Sequence, residues 1–150
     1  MNQKKIKLFL LFTPGDEKSV FAQQMENLME RLKNHPRVQF MKYPNFVVDD
    51  PDPDSEKSLS TRIFEVIEKN ILEADLLVAV ATYGSSGLGM EIGIGNSCNR
   101  KTLVCFDAQK TDRSHMIMGS VIRNPNLQII EYSPENSLFD QIIKQVESML

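Results

Sequence analysis

The chain has 150 residues, and its 17 Lys plus Arg against 20 Asp plus Glu give a formal net charge of −3. This length predicts a single domain, residues 1–150, that can bury a sizeable core without metals or disulfides. A composition of 41% hydrophobic and 25% charged residues excludes a disordered chain. Because no basic run is interleaved with aromatics, we do not expect a nucleic-acid polymer as partner.

The N-terminus and the cysteines bear on the compartment. Two lysines precede an apolar run at residues 6–12, as in a signal peptide, but Lys7 interrupts the run and no small-residue cleavage pattern follows. No apolar stretch is long enough to cross a bilayer. Cys98 and Cys105 lie seven residues apart, a spacing that favours neither a disulfide nor a metal site, so we expect reduced thiols and a cytoplasmic protein.

Strands and helices alternate along the sequence. Short apolar runs predict strands buried on both faces, and apolar stripes at helical spacing predict amphipathic helices. The predicted strands are 6–12, 38–41, 76–81, 102–106 and 127–130, with helical stripes at 21–32, 59–71 and 138–149 and a glycine-rich turn into a helix at 84–95. Right-handed crossovers then give a doubly wound, flavodoxin-like α/β sandwich of three layers with about five parallel strands. Ligands of such folds bind at the carboxyl ends of the strands, here after Phe12 and Ala81.

Residues 44–58 are rich in proline and acid and predict a loop. Three alternating aspartates in it imitate the first ligands of a calcium loop, but the positions that require glycine and glutamate hold Ser55 and Thr61. We therefore predict no metal site, and an N-cap of the next helix at Asp54 or Ser55.

The segment from Gly84 to Gly95 has five glycines in twelve residues. Glycines let the backbone approach a ligand closely, and helix N-terminal amides bind anions such as phosphate. Ser85 and Ser86 add uncharged hydroxyl donors. We expect Glu91 in or near the first helical turn, where the macrodipole favours an ionised carboxylate that is available as a nucleophile. Tight helix–sheet packing by the glycines and a merely dipole-complementing glutamate explain the pattern equally well.

A set of short motifs runs from Ile63 to Tyr132 around this segment. It comprises Ala74-Asp75 before an apolar strand, the run Ser85-Ser86-Gly87-Leu88-Gly89-Met90-Glu91-Ile92-Gly93, Asn99-Arg100-Lys101, Ser114-His115-Met116-Ile117 and Gln128-Ile129-Ile130-Glu131-Tyr132. Together these motifs resemble the nucleoside 2-deoxyribosyltransferase superfamily, and within it the 2'-deoxynucleoside 5'-phosphate N-hydrolases. The resemblance implies that Glu91 is the nucleophile and that no cofactor takes part.

One position separates two branches of that superfamily. Six residues before the glutamate, the nucleoside transferases carry an aspartate for the sugar 5'-hydroxyl, whereas the nucleotide hydrolases carry a serine for the 5'-phosphate; this chain has Ser85. A hydroxyl donates to a phosphate dianion that a carboxylate would repel. The resemblance therefore implies a small-molecule nucleotide as substrate and a phosphate site formed by Ser85, Ser86, Gly87 and Gly89.

The resemblance also implies a homodimer. In it Ser114 would reach the phosphate in the neighbouring subunit's site, and Met116 would lie near the ligand. A solvated loop serine explains Ser114 equally well.

The implied mechanism is a double displacement: Glu91 attacks the sugar C1', the base leaves with a proton from a second acid, and water hydrolyses the glycosyl-enzyme ester. Relatives carry that acid as an aspartate eight residues before Asp75, where this chain has Ile67. Ile67 falls on an apolar stripe, which predicts a core residue. Glu68 can substitute if the helix is rotated or shifted by one residue, and Glu65 is the weaker candidate. A solvated helix face explains both glutamates as well.

The loop after the first strand departs from the relatives, which carry a glycine-rich phosphate loop with an arginine there. This chain reads Thr13-Pro14-Gly15-Asp16-Glu17-Lys18-Ser19. Thr13, Gly15 and the following amides can still cradle a ligand. Asp16 and Glu17 oppose phosphate unless they point away.

The resemblance thus implies an enzyme that releases the base from (deoxy)nucleoside 5'-monophosphates. Three alternatives stay open: a nucleotide-binding protein of the same fold that lost its acid at Ile67, a nucleoside 2-deoxyribosyltransferase, and a flavin carrier.

Overall fold

A computed structural model of the protein describes residues 3–15, 18–46, 50–110 and 112–150. Within these ranges strands and helices alternate from one end to the other. The strands are β1 (Ile6–Phe12), β2 (Val38–Met41), β3 (Leu76–Val80), β4 (Lys101–Asp107) and β5 (Leu127–Tyr132). The helices are α1 (Val20–Lys33), α2 (Leu59–Glu73), α3 (Ser86–Ser97), α4 (His115–Ser120) and α5 (Leu138–Ser148), with a 3-10 turn at Val121–Arg123.

The strands form one parallel sheet in the order β2-β1-β3-β4-β5. This confirms the doubly wound α/β fold with five parallel strands. The strand order reverses between β1 and β3, so the loops that follow these two strands lie at the switch point where such folds bind ligands.

Two apolar layers cover the sheet, one on each face. On one face α1 and α5 pack against side chains such as Leu8 and Val78, and on the other α2 and α3 pack against Phe9 and Leu77. Every residue of β3 is buried, because the central strand is covered on both faces and by a neighbour on each side.

Two details of the prediction are wrong. The N-cap of α2 is Ser58, whose hydroxyl accepts from the Thr61 backbone N–H at 3.2 Å, and neither Asp54 nor Ser55. The acidic segment before the cap lies along the helix, because the Arg62 side chain on α2 pairs with the Asp50 carboxylate and donates to the Asp52 carbonyl at 2.9 Å.

The second detail is helix α4, which the prediction lacks; Ser114 itself is exposed and precedes this helix. Ser114 is the N-cap of α4 and accepts from the Ile117 N–H at 3.4 Å. The six residues of α4 include no buried one, so the sequence shows no apolar stripe there.

Cys98 and Cys105 are free thiols. In the described part of the chain, no group of three or more His, Cys, Asp or Glu side chains could hold a metal ion. None of the described helices combines the length and apolar character that crossing a membrane requires.

Candidate functional site

The N-terminus of α3 lies at the switch point of the sheet, and Ser85 is its N-cap. The Ser85 hydroxyl oxygen accepts from the Leu88 backbone N–H at 3.1 Å and from the Thr13 hydroxyl at 3.0 Å. A serine hydroxyl has two acceptor positions and one proton. Since both acceptor positions are used, the proton of Ser85 is left to donate to a ligand. The structure thus joins two predicted site residues from the loops after β1 and β3.

Glu91 is held by a tyrosine from another loop. The Tyr43 hydroxyl, two residues after β2, donates to Glu91 Oε1 at 2.5 Å, the short distance typical of a hydrogen bond to a carboxylate. The Tyr43 ring stacks on Phe9 of β1, with the ring centroids 5.7 Å apart. No described residue bonds to Oε2, so with respect to the described part of the chain one carboxylate oxygen is fixed and the other is open.

The electrostatics of Glu91 differ from the expectation. Glu91 is the sixth residue of α3 and lies in its second turn rather than its first. Burial raises the pKa of Glu91 above its ordinary value, and the hydrogen bond from Tyr43 opposes that rise. Burial and the neighbouring carboxylate in turn raise the pKa of Tyr43. The tyrosine therefore keeps its proton at neutral pH, and it is Tyr43, more than the helix dipole, that favours the ionised Glu91.

A cleft of about 810 Å³ opens on the other side of α3, between α3 and α4. The predicted site residues that line it are Ser85, Gly89, Ser114 and Met116. A Cβ added at Gly89 or Gly93 would meet nothing within 4 Å. These glycines, one helical turn apart, therefore leave the α3 wall of the cleft open.

Helix α3 separates Glu91 from this cleft. Leu88, Ile92 and Gly95 are its buried residues, and Gly89 and Gly93 line the cleft on the β4 side. Glu91 faces Tyr43, which lies on the β2 side. Within one chain, the structure therefore places Ser114 in the same cleft as Ser85 but not beside Glu91.

The glycines in and before α3 serve two different purposes. A Cβ on Gly95 would lie 2.4 Å from Leu77 Cδ1, so close packing of α3 on β3 requires glycine there. A Cβ on Gly84, Gly89 or Gly93 would point into open space. Packing thus explains Gly95, whereas the others keep the helix surface clear.

A core residue, Ile67, occupies the position where an acid is expected. Ile67 is 5% exposed and belongs to the apolar cluster between the sheet, α2 and α3. Glu65 is paired with Lys57 at 2.9 Å. Glu68 is partly buried, and no hydrogen bond or ion pair joins it to Glu91 among the described residues.

The remaining predicted residues are exposed. Ser86 and Gly87 lie in the first turn of α3, and Gly15 lies in the loop after β1. Met116 is 84% exposed on α4. Asp16 and Glu17, which we expect to oppose phosphate, lie outside the described residues.

The sequence does not predict two residues of the candidate site. Tyr43 holds Glu91, and Lys110 lines the α3–α4 cleft, which Ser85 also lines. Both follow the carboxyl end of a strand, β2 for Tyr43 and β4 for Lys110, which is the one signal that could have found them.

The comparisons with known proteins support the fold. No protein-family profile and no curated protein sequence matches the chain. Among solved structures, the chain is similar to the CMP N-glycosidase BcmB of Clostridium botulinum, with a TM-score of 0.64 and 18% identity over 93% of this chain and 98% of that one. It is also similar to a conserved protein of Enterococcus faecalis V583, with a TM-score of 0.59 and 14% identity over 97% and 99% of the two chains. The chain therefore shares its doubly wound α/β fold with these two structures.

Proposed function

We propose that the protein hydrolyses the N-glycosidic bond of nucleoside 5'-monophosphates and releases the free base and the sugar 5-phosphate. The observation that carries the proposal is the Tyr43–Glu91 pair, in which a half-buried carboxylate has one oxygen held at 2.5 Å and the other open. The similarity of the fold to a CMP N-glycosidase supports the same reaction class and makes CMP the first substrate to test.

The chemistry follows from the free oxygen of Glu91. Oε2 attacks C1' of the sugar, the bond from C1' to the base nitrogen breaks, and its electron pair leaves with the base. A water then attacks C1' of the ester, which restores the Glu91 carboxylate and gives sugar 5-phosphate. Tyr43 keeps its proton throughout and orients the carboxylate.

The base needs a proton when it leaves. Of the two candidate glutamates, Glu65 is already paired with Lys57, so Glu68 remains as the acid. It gives its proton to the base and takes one from the attacking water, so the cycle closes. Replacing Glu68 with Gln should then lower kcat, and an unchanged kcat would eliminate Glu68.

The 5'-phosphate is placed at the N-terminus of α3. The Ser85 proton and the amides of Ser86 and Gly87 offer donors there, and the helix dipole favours an anion. The Gly89 amide instead donates to the Ser85 carbonyl at 3.1 Å, so Gly89 contributes by leaving the helix surface open. Thr13 reaches the same place through its hydrogen bond to Ser85, and Gly15 follows two residues later in the same loop. This arrangement places a phosphate about one to two helical turns from Glu91, which suits a nucleotide whose C1' must reach that carboxylate.

A homodimer with Ser114 contributed by the second copy completes the proposal. Ser114 and Met116 lie on the far side of α3 from Glu91, and Met116 and Ile122 are 84% and 88% exposed. Apolar side chains this exposed fit a covered surface. Mixing Glu91→Ala with Ser114→Ala chains tests it, because only exchange across the interface regenerates one intact site. Recovered activity in the mixture supports the proposal; none, with a dimeric wild type, assigns Ser114 to its own chain's cleft.

The decisive experiment measures free base. The purified protein is incubated with CMP, dCMP and the other common ribo- and deoxyribonucleotides, and the released base is quantified. Glu91→Ala should abolish release, and Glu26→Ala, an exposed glutamate on α1 across the sheet, should not. Absence of base from every nucleotide, or equal rates in wild type and Glu91→Ala, would refute the proposal.

A second function is favoured by one observation, the burial of Ile67 at 5% exposure where an acid is expected. A protein without that acid would bind a nucleoside monophosphate and not turn it over. Calorimetry with CMP separates the two: binding without release of cytosine identifies the binding protein. Base exchange between unphosphorylated nucleosides would instead identify a transferase.

A further inference from the structure

Lys110 is the only cationic side chain lining the described part of the α3–α4 cleft, which also holds Ser85. It follows β4, and Ser85 follows β3; these strands are neighbours in the sheet. The two loops therefore meet at the same edge.

The Lys110 ammonium has a defined place. Its Nζ lies 4.2 Å from the centroid of the Tyr83 ring, a cation–π contact that favours the charge there. Tyr83 is itself held edge-on against Phe21 of α1, with the centroids 4.9 Å apart. Because Tyr83 precedes Ser85 by two residues, the contact brings the ammonium to the loop that caps α3.

Among the described residues, the contact with the Tyr83 ring is the charge-dependent interaction that Lys110 makes. None of the described carboxylates forms an ion pair with it. Asp112 also lines the cleft and opposes an anion there. Ser85 supplies a hydroxyl proton but no charge, so a dianionic ligand at Ser85 would draw its charge complement from Lys110.

We propose that Lys110 is the specificity-determining residue that selects a 5'-phosphorylated nucleotide over the unphosphorylated nucleoside. The inference rests on the proposed function and deepens it. The ammonium leaves the Tyr83 ring to pair with the phosphate, while Ser85 and the α3 amides donate to the same group. A nucleoside lacks the dianion and gains nothing from Lys110, so the residue affects one class of substrate and not the other.

The test compares wild type, Lys110→Met and Lys110→Arg on CMP and cytidine, with Lys144→Met on α5 as the matched control. Lys110→Met should lower kcat/KM for CMP by about tenfold or more, the loss typical of a hydrogen bond to a charged group, through a higher KM. Its kcat/KM for cytidine should stay unchanged. Lys110→Arg should restore most of the CMP activity, and Asp112→Asn should lower KM for CMP.

Binding of ribose 5-phosphate, measured by calorimetry, gives a readout that does not need turnover. Wild type should bind it more tightly than Lys110→Met does, and raised salt should shrink the difference. If wild type releases no base from any nucleotide, the proposed function fails, and this binding difference still decides the role of Lys110. Equal CMP-to-cytidine ratios, or equal ribose 5-phosphate binding, in wild type and Lys110→Met overturn the inference, as does an equal loss on both substrates.

Discussion

Replacing Tyr43 with Phe removes one oxygen atom from the candidate site. The ring and its stacking on Phe9, at 5.7 Å between centroids, are preserved. What is lost is the hydrogen bond of 2.5 Å to Glu91 Oε1. The variant therefore separates the orientation of the carboxylate from the packing of the loop that follows β2.

The size of the effect follows from the partners of that bond. A hydrogen bond to a charged group contributes about 1.5 to 3 kcal/mol, and Tyr43 is 40% exposed, so water can replace part of its hydroxyl. The lower end, about 1.5 kcal/mol, corresponds to roughly a tenfold loss of kcat. The hydrogen bond also lowers the pKa of Glu91 against the burial that raises it. Without it the pKa of Glu91 rises further, and the nucleophile needs a higher pH to ionise.

The assay is the pH dependence of base release. We expect kcat of Tyr43→Phe to fall about tenfold near neutral pH and its acidic limb to move to higher pH. Tyr132→Phe is the matched control, because it removes a tyrosine hydroxyl that bonds Thr82 at 2.6 Å at the same sheet edge. Its acidic limb should stay in place. An acidic limb that does not move in Tyr43→Phe, with kcat preserved, would refute the idea that Tyr43 controls Glu91.

Three further predictions concern stability, measured by urea unfolding. Gly95→Ala places a Cβ 2.4 Å from Leu77 Cδ1 and should lower the free energy of unfolding by about 1 to 3 kcal/mol. Gly93→Ala, whose Cβ would meet nothing within 4 Å, should raise it by up to about 1 kcal/mol. Equal effects of the two substitutions would contradict the packing argument. Ile67→Asp buries a carboxylate in the core and should cost about 3 kcal/mol or more at neutral pH, so a stable variant would mean that this side chain reaches solvent or the site. The raised pKa of Glu91 means that the folded state binds the extra proton, and stability falls as pH rises through the window above the ordinary glutamate value. Glu91→Gln should therefore gain stability relative to wild type as pH rises through that window, and a constant difference would contradict the assignment.

The fold could be predicted from the sequence because the patterns that indicate its strands and helices are local. Contiguous residues predict the strand Ile6–Phe12 and the apolar stripe of α1, and both elements occur where expected. The sequence does not predict helix α4, because its six residues bury no side chain and therefore show no periodic apolar pattern. The N-cap of α2 escaped because the pairing of Arg62 with Asp50, which lays the acidic segment along the helix, is a tertiary contact.

The candidate site divides in the same way. Ser85 could be predicted because a capping serine is indicated by the sequence of the helix and the glycine-rich turn that follow it. Tyr43 was not, because its contact with Glu91 joins residues 48 positions apart and depends on how far the loop after β2 reaches over β1. The sequence does not predict the raised pKa of Glu91 either, because its cause is burial by neighbouring elements, which no local pattern encodes.

One helix therefore divides the candidate site into two sides that must act together. Gly95 allows α3 to pack closely on β3. The N-cap of α3, Ser85, lies at the carboxyl end of β3. From there Glu91 faces Tyr43 on one side, and Gly89 faces the cleft of Lys110 on the other. The N-terminus of α3 is the place where both sides meet, so a nucleotide can use both only by setting its phosphate there. In the proposed function the phosphate determines how the sugar is presented to Glu91, so the proposed role of Lys110 requires no contact between its charge and the bond that breaks.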